Sequence, residues 1–363
     1  NAFDGFKAGV QAKAGYYNRY HQFDVGLWFS TGIGQQTNAL PYQRFEDGFN
    51  RLQYRVDYST PFKKLNDDID FIWHTSFMDG LANNSIGWQL QLSDRKTTVS
   101  QTIGGLYRTN RASLNYLIDP NYWVEDQWNN FMDIEVRHVY SANRKNRGSI
   151  IAQVRSPFVG ADYQYGYLNI DAQNNWSLWK LHWRNRAFIQ YGLGDNWAPE
   201  SQLYAAGANP EMMQENPWIR SAGFIPAGSN TIGTSTGWFQ SVGGLNLRGY
   251  NNYLLPETDE NGNLVFAYRG HSGASLNSEL EFDGLVKPFP KLKRYIDLNT
   301  YAFADAGVIN INSPNESLRF SNLRADAGLG VALNVNSWGN WSDLGKTTIR
   351  ADFPIWMNRP PAD

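Results

Sequence analysis

The segment Arg51-Leu-Gln-Tyr-Arg-Val-Asp-Tyr58 alternates charged or amide side chains with apolar or aromatic ones. Because successive side chains of a β-strand point to opposite faces, this segment predicts a strand with one polar face and one apolar face. The same alternation recurs along the chain, most clearly at 6–14, 86–92, 298–306 and 323–329. A pattern of this kind predicts an all-β protein.

Several of the alternating stretches are long, notably 3–17, 22–33, 128–141 and 322–335. Strands of soluble sheets have about 5–6 residues, whereas a tilted strand that crosses a membrane needs about 9–11. A soluble β-sandwich also alternates, but strands of this length favour a transmembrane antiparallel β-barrel. In such a barrel the apolar face meets lipid and the polar face lines the lumen.

The amino-acid composition favours the same class. Aromatic residues make up 15% of the chain, which suits a barrel with aromatic belts at both membrane interfaces. No run of about 18 apolar residues exists, which excludes a transmembrane helix. The absence of cysteine excludes disulfides and thiolate chemistry. The formal net charge of -2 argues against a nucleic-acid partner.

The pattern divides the chain into about fifteen strands around one long irregular segment. This segment, 195–270, is rich in Pro, Gly and Asn and has no sustained alternation. A structureless stretch of this length inside a compact domain is usually a functional loop, and we expect 1–363 to form one barrel domain that contains it. The predicted strands are 3–17, 22–33, 48–60, 69–80, 84–94, 97–118 (one strand or two), 128–141, 148–158, 162–172, 174–183, 186–194, 273–283, 297–308, 322–335 and 345–356.

Two short motifs predict a contact between the long segment and the barrel wall. Residues 243–250 read Gly-Gly-Leu-Asn-Leu-Arg-Gly-Tyr, and residues 301–307 read Tyr-Ala-Phe-Ala-Asp-Ala-Gly. Asp305 lies opposite the small and apolar residues of its strand, which predicts that it faces the lumen. Arg248 offers a planar fork that matches a carboxylate, and Gly249 allows a close backbone approach. The alternative is an exposed arginine and a separately solvated aspartate.

The motifs resemble the signatures of the Omp85 superfamily of outer-membrane proteins. Leu247-Arg248-Gly249-Tyr250 resembles the family's [VL]-R-G-[FY] signature, which lies on a long sixth extracellular loop that enters the barrel. Phe303-Ala-Asp305-Ala-Gly307 resembles its F-x-D-x-G signature on the thirteenth strand. Residues 278–282, 323–331 and 348–356 are similar to the twelfth, fourteenth and fifteenth strands. The opening residues are similar to first strands of Bacteroidetes-type members.

The resemblance implies a set of site residues. The residues expected to lock the loop to the barrel are Arg248, Gly249, Tyr250, Asp305 and Gly307. The residues expected to support this contact from the lumen side are Glu279, Glu281, Tyr301 and Phe303.

The resemblance also implies a cellular location and a function. We expect a sixteen-stranded barrel in the bacterial outer membrane that inserts client β-barrels or translocates a polypeptide. Its expected partners are outer-membrane lipid and lipopolysaccharide, client outer-membrane or secreted proteins, and other envelope assembly subunits. An amino terminus on the periplasmic side would make segment 195–270 extracellular. A fifteen-strand chain would then be a fragment that lacks the last strand, because closed barrels have even strand numbers, unless the early strand count is off by one.

Three other functions remain open from the sequence. The barrel could be an anchor or accessory subunit for a fused or bound periplasmic peptidase or phosphatase, with no transport activity. A diffusion pore is a further alternative, although an inserted loop would plug its lumen, and a soluble sheet protein is the last. Periplasmic POTRA domains, which precede the barrel in protein-handling family members, would favour insertion over anchoring if present upstream.

No motif predicts catalysis, a metal or a cofactor. Gly233-Thr-Ser235-Thr-Gly237 matches the nucleophile-elbow string, but that motif needs a strand before it and a helix after it. The five histidines include no close pair, so zinc is not expected. Residues 259–263 only faintly resemble a calcium loop, because no glutamate closes it. Asp67, Asp68 and Asp70 fit a solvated turn at a strand entry. We therefore expect no enzyme.

Overall fold

The computed structural model describes residues 7–16, 20–31, 52–62, 68–78, 81–108, 126–143, 145–206, 211, 244–250, 254–259, 261–282, 295–312, 316–335 and 347–360. Two short 3₁₀ helices lie at Pro199–Ser201 and Arg248–Tyr250. No helix in these ranges is long and apolar enough to cross a bilayer. The strands are β1 Lys7–Tyr16, β2 Tyr20–Ser30, β3 Leu52–Pro61, β4 Ile69–Met78, β5 Leu81–Gln91, β6 Thr97–Arg108, β7 Trp128–Asn143, β8 Asn146–Pro157, β9 Gln164–Leu178, β10 Leu181–Asn196, β11 Leu203–Tyr204, β12 Pro256–Thr258, β13 Leu264–Phe266, β14 Arg269–Gly270, β15 Gly273–Glu281, β16 Ile296–Ile309, β17 Arg324–Val335 and β18 Thr347–Met357.

In the described part of the chain, one antiparallel sheet of 14 strands forms the barrel wall. Strands β1 to β10 pair in chain order, β10 pairs with β15 across the long segment, and β16 to β18 continue the order. The prediction of an all-β antiparallel fold is confirmed. Short strands β11 to β14 belong to the long segment and form two separate two-stranded pairs.

The predicted count of about fifteen barrel strands is one higher than the 14 strands that the described residues place in the wall sheet. The predicted strands 162–172 and 174–183 are one continuous strand, β9, followed by the start of β10. The turn between them lies at 179–180, where Trp179 takes a positive φ of 56°, and β9 pairs in unbroken register against β10 from Tyr165 to Leu178. Alternation continues through a tight hairpin turn, so periodicity alone did not show where the strand ends. In the range 97–118, β6 ends at Arg108, and most of the remainder lies outside the described residues.

The strand count also reverses the predicted direction of the first strand. Lys7, at the start of β1, pairs with Ser30 at the end of β2. Through the pairing of the following strands, the start of β1 lies at the same end of the sheet as Asn196 and Gly273. The long segment lies between these two residues in the chain. We call this the loop end and the opposite end the turn end. Strand β1 therefore runs away from the loop end, because ten strands rather than eleven precede the long segment.

The two faces of the sheet differ in chemistry. Large apolar side chains are exposed on the outer face, for example Ile86, Ile189, Leu276 and Leu329. The inner face carries the buried charged and amide groups of the same strands, including Asp305. A soluble protein would bury the apolar set, so this distribution is that of a barrel surrounded by an apolar medium.

The long segment supplies the apolar core of the lumen. Its buried residues pack on wall residues Phe188 and Ile309. Burial of one such leucine contributes about 1.5–3 kcal/mol, so the packing favours a segment held inside the barrel. The core residues from the segment are Leu203, Ala205, Leu245, Leu247, Tyr250, Leu255 and Ala267.

Candidate functional site

The Leu-Arg-Gly-Tyr motif lies inside the barrel at the end of a short extended stretch. The backbone amides of Leu245 and Leu247 donate to the carbonyls of Tyr204 and Ala205, at 3.1 and 2.9 Å. Both leucines are buried, and the chain then turns into the 3₁₀ helix that begins at Arg248. Local hydrogen bonding and leucine packing therefore bring the arginine to the wall.

Arg248 forms a two-pronged ion pair with Asp305 of β16. Its Nε donates to Asp305 Oδ2 at 2.6 Å and its Nη2 donates to Oδ1 at 2.8 Å. The guanidinium also stacks on the Phe303 ring, with 4.0 Å from Cζ to the ring centroid. The Arg248 side chain is 1% exposed and that of Asp305 is 0% exposed. Parallel charge-assisted hydrogen bonds of this kind are among the strongest in proteins.

Arg248 also joins a wider charged network on the wall. Its Nη1 donates to Glu279 Oε1 of β15 at 2.6 Å and reaches Asp352 Oδ1 of β18 at 3.4 Å. Arg350 donates to both of these carboxylates, and the Tyr301 hydroxyl donates to Asp352 at 2.8 Å. One loop arginine therefore connects three wall strands. We call Arg248, Asp305, Glu279, Asp352 and Arg350 the Arg248 cluster.

Asn277 of β15 completes the contact, and the sequence analysis did not single it out. Its Nδ2 donates to Asp305 Oδ1 at 3.0 Å and to the carbonyl oxygens of Leu245 and Asn246 at 3.2 and 3.0 Å. The amide thus binds the wall carboxylate and the loop backbone together. Its alternating position beside Glu279 was the available signal, because both lie on the inner face of β15.

The glycines and the tyrosine of the motifs have steric and hydrogen-bonding roles. A Cβ atom on Gly249 would lie 2.7 Å from Cβ of Asp326, and one on Gly307 would lie 2.8 Å from the Ala274 carbonyl oxygen. The Tyr250 hydroxyl donates to Asn358 Oδ1 at 2.7 Å. Burial raises the pKa of this hydroxyl above its ordinary value.

One of the expected residues lies apart. Glu281 is on the inner face but pairs with Arg184 of β10, at 2.8 Å. The structure brings the other eight to the loop–wall contact. Those residues are Arg248, Gly249, Tyr250, Asp305, Gly307, Glu279, Tyr301 and Phe303.

A second charged contact joins the first part of the long segment to a different part of the wall. Arg155 of β8 donates to Asp133 of β7 and to Glu211 of the segment, with the shortest contacts at 2.7 and 2.8 Å. Arg108 of β6 lies 3.1 Å from Glu200 of the segment. We call these five residues the Arg155 cluster. The sequence analysis missed it, because single acidic residues in an irregular segment carry no periodic signal.

Hydrogen bonds complete the surroundings of Glu200. Asn129 of β7 donates to Glu200 Oε1 at 2.9 Å and to the Ser201 hydroxyl at 3.1 Å. Burial raises the pKa of Glu200 above its ordinary value, and the Arg108 guanidinium opposes this effect.

The other motifs considered for chemistry add no site in the described part of the chain. Residues 233–237 and Asp67 lie outside the described residues. Asp259 accepts hydrogen bonds from the backbone amides of Asn261 and Asn263 at 2.8 and 2.7 Å, as in an ordinary polar turn. No group of three potential metal ligands is found among the described residues.

Comparison with known proteins finds only distantly similar solved structures. No family model and no curated protein matches the sequence. BamA from Haemophilus ducreyi lacking POTRA domains 1-3 has 13% identity and a TM-score of 0.45, over 96% of this chain and 66% of that chain. CdiB from Acinetobacter baumannii has 11% identity and a TM-score of 0.44, over 91% and 55%. A BenF-like porin from Pseudomonas fluorescens Pf-5 has 10% identity and a TM-score of 0.41, over 96% and 72%.

The structural neighbours include barrels of the Omp85 superfamily, namely BamA and CdiB. The chain spans less than two thirds of the length of these two chains. At identities of 10 to 13% the similarity concerns the fold, which a porin also shares.

Proposed function

We propose that this chain is one barrel domain of an Omp85-type outer-membrane protein that inserts client proteins or translocates a polypeptide. The observation that carries the proposal is the buried pair between Arg248 and Asp305. The two motifs that resemble the family signatures are far apart in the chain, and their charged side chains meet inside the barrel at 2.6 Å. An exposed arginine and a solvated aspartate would not meet in this way.

The proposed location is the bacterial outer membrane. The exposed apolar side chains of the outer face fit a lipid environment, and the inner charges fit a lumen. Barrels in this membrane have short periplasmic turns and longer extracellular loops, so the loop end faces outward in this proposal. Lipopolysaccharide would then surround the loop end, and client proteins would be the transported or inserted partners.

The proposed mechanism uses an edge of the sheet. In β-augmentation, a client strand pairs through main-chain hydrogen bonds with an edge strand. The Arg248 cluster lies on β15, β16 and β18 and ties these last strands to the long segment. It would hold this part of the wall in shape while another part of the sheet accepts a client.

Charge reversal tests the proposal. Arg248→Glu, Asp305→Arg and the double variant are expressed in cells and scored by heat-modifiable gel mobility, which reports barrel folding, and by the amounts of other envelope proteins. We expect both single variants to lose envelope-protein assembly, because each places like charges together in a buried site. The double variant should regain it, because an arginine and a carboxylate face each other again.

The matched control is Arg137→Glu, a charge reversal of a half-exposed wall arginine that pairs with the partly exposed Glu135 of the same strand, away from the loop motif. It should leave assembly unchanged. If the Arg248 and Asp305 single variants fold and assembly matches the control, the barrel has no insertion role and the proposal is wrong.

A further inference from the structure

Asp326 of β17 is a buried carboxyl group beside the loop–wall contact. Its exposed fraction is 1%, and neither of its oxygens has a hydrogen-bond partner among the described residues. It lies directly opposite Asp305 on the neighbouring strand β16, a position in which two like charges destabilise a sheet. Its other cross-strand neighbour is the apolar Met357 of β18. The contact therefore contains a second aspartate, which needs either a cation or a proton.

Arg248 is the cation next to this pair of aspartates, but its hydrogen bonds go to other groups. Its Nε and Nη2 bond both oxygens of Asp305, and its Nη1 bonds carboxylates of β15 and β18. Asp305 also accepts a hydrogen bond from Asn277. Asp305 is therefore stabilised as a carboxylate, whereas Asp326 lies near the same arginine without a bond to it.

The other polar groups that face Asp326 do not neutralise it. On its own strand, Arg324 pairs with Glu257 of the long segment at 2.5 Å. From the loop, the Gly249 backbone amide faces the carboxyl group outside hydrogen-bonding geometry, and the Tyr250 hydroxyl donates elsewhere. An ionised carboxylate buried in this position would lose its hydration without compensation.

We propose that Asp326 is a positioning residue that holds a proton in the folded protein and donates a hydrogen bond to the Asp305 carboxylate. A protonated carboxyl group has one O–H donor, and two adjacent carboxyl groups that share one proton avoid the repulsion between two ionised ones. The strands β15 and β17 flank β16, so Asn277 and Asp326 would hold Asp305 from its two sides in the orientation that Arg248 requires.

Loss of this proton should weaken the attachment of the loop. Gly249 lies directly against Asp326, because a Cβ atom on this glycine would be 2.7 Å from Cβ and 3.0 Å from Cγ of the aspartate. An ionised Asp326 repelled by Asp305 would therefore press against the loop. Asp305 and Arg248 alone give no such effect, because both are already charged at neutral pH. The inference extends the proposed function, since it concerns the contact that would brace the wall there.

Infrared spectroscopy of the purified, folded protein tests the protonation directly. A protonated carboxyl group has a C=O stretching band that a carboxylate lacks. At neutral pH, we expect Asp326→Asn to remove one such band from the parental spectrum. The matched control is Asp171→Asn, because Asp171 is a partly buried wall carboxylate that pairs with Arg186 at 2.8 Å; this change should leave the band in place. A band that persists in Asp326→Asn, or a parental spectrum without one, would overturn the proposal.

Hydrogen exchange measures the effect on the loop. The backbone amides of Leu245 and Leu247 are bonded inside the barrel, and comparison of parent and Asp326→Asn at each pH cancels the intrinsic pH dependence of exchange. Between about pH 6 and about pH 9, protection of these amides in the parent should fall about tenfold relative to the variant, as loss of one proton over one pH unit allows. Asp171→Asn should follow the parent. A constant ratio between parent and Asp326→Asn would show that Asp326 does not position the loop.

Both measurements are independent of client insertion. Asp326→Asn keeps the shape of the protonated acid and a hydrogen-bond donor, so we expect it to fold. If heat-modifiable mobility shows that it does not, Asp326→Ser supplies a smaller neutral donor for the same two measurements. Failure of the proposed insertion function would appear in envelope-protein assembly, whereas failure of this inference would appear in the infrared band and the exchange ratio.

Discussion

The two clusters attach the same segment with opposite charge arrangements. In the Arg248 cluster the segment supplies the arginine and the wall supplies the carboxylates. In the Arg155 cluster the wall supplies the arginines and the segment supplies Glu200 and Glu211. Both use an arginine that bonds more than one carboxylate, three for Arg248 and two for Arg155, and that stacks on a phenylalanine ring. Buried charge thus requires pairing, but either side of the contact can carry either sign.

The two clusters differ in whether a sequence motif reveals them. The arginine of the Arg248 cluster lies beside a glycine that permits close approach to Asp326, so its sequence context is restricted. Glu200 and Glu211 of the Arg155 cluster reach the wall from separate points of the segment, and neither lies in a recognisable motif. Attachments of similar geometry can therefore differ completely in how visible they are in a sequence.

The largest effect is expected from removing either arginine. Arg248→Met and Arg155→Met should each lower the free energy of unfolding by about 3–5 kcal/mol, because each leaves buried carboxylates without their arginine partner. The measurement is the urea midpoint in lipid vesicles, followed by heat-modifiable mobility. Arg137→Met, which breaks the more exposed pair with Glu135, is the control and should cost about 0–1 kcal/mol. If Arg248→Met or Arg155→Met loses no more stability than this control, burial does not strengthen the ion pairs of that cluster.

A smaller loss is expected from Gly249→Ala. The added methyl group would lie 2.7 Å from Cβ of Asp326 and 3.0 Å from Cγ of Met357. Overpacking of this kind costs about 1–3 kcal/mol, and the same urea midpoint measures it. A urea midpoint equal to that of the parent would show that the wall accommodates the methyl group.

Hydroxyl deletions compare the two clusters more finely. Tyr250→Phe removes the bond to Asn358, whereas Ser201→Ala removes the bond to Glu211 and the bonds that the hydroxyl accepts from Asn129 and Arg155. Tyr250→Phe should cost about 0.5–1.5 kcal/mol, the usual net value of one hydrogen bond, and Ser201→Ala should cost more because it removes several. The difference between the two urea midpoints is the measurement. A loss from only one of the two variants would indicate that only one hydroxyl contributes to stability.

The smallest effect concerns pH. Burial lowers the pKa of His271 below its ordinary value of 6.5. The neutral form is therefore favoured in the folded state, so its contribution to stability is present above pH 6.5 and is lost as the pH falls through the folded-state pKa. His271→Gln should weaken the dependence of the urea midpoint on pH below 6.5. If the pH profile of the variant does not change, other titratable groups cause the pH dependence of the urea midpoint.

The sequence predicted some features well because they are local. Alternation placed Tyr301, Phe303 and Asp305 on one strand face, and the structure buries all three. It could not locate the turn at Trp179, because the pattern of β9 continues into β10 through a two-residue hairpin. That missed turn accounts for the extra predicted strand and for the reversed direction of β1.

The site was predictable only in part for the same reason. Arg248 was found through its Gly-rich context, whereas Asn277 and Arg155 lie in ordinary alternating strands. Glu281 was expected to support the loop contact because residues 278–282 resemble the family's twelfth strand. Glu281 lies two residues, or about 7 Å, further along the strand than Glu279. Its carboxylate therefore pairs with Arg184 instead.

The sequence by itself determined the β class, the polar inner face and the position of the arginine motif, because each depends on neighbouring residues. Only the tertiary structure decided which charges meet. Arg248 and Asp305 are 57 positions apart, and Arg155 and Glu211 are 56 positions apart. Such pairs form only where the folded sheet brings the segment and the wall together in an environment that excludes water, so that unpaired charge is too costly to remain.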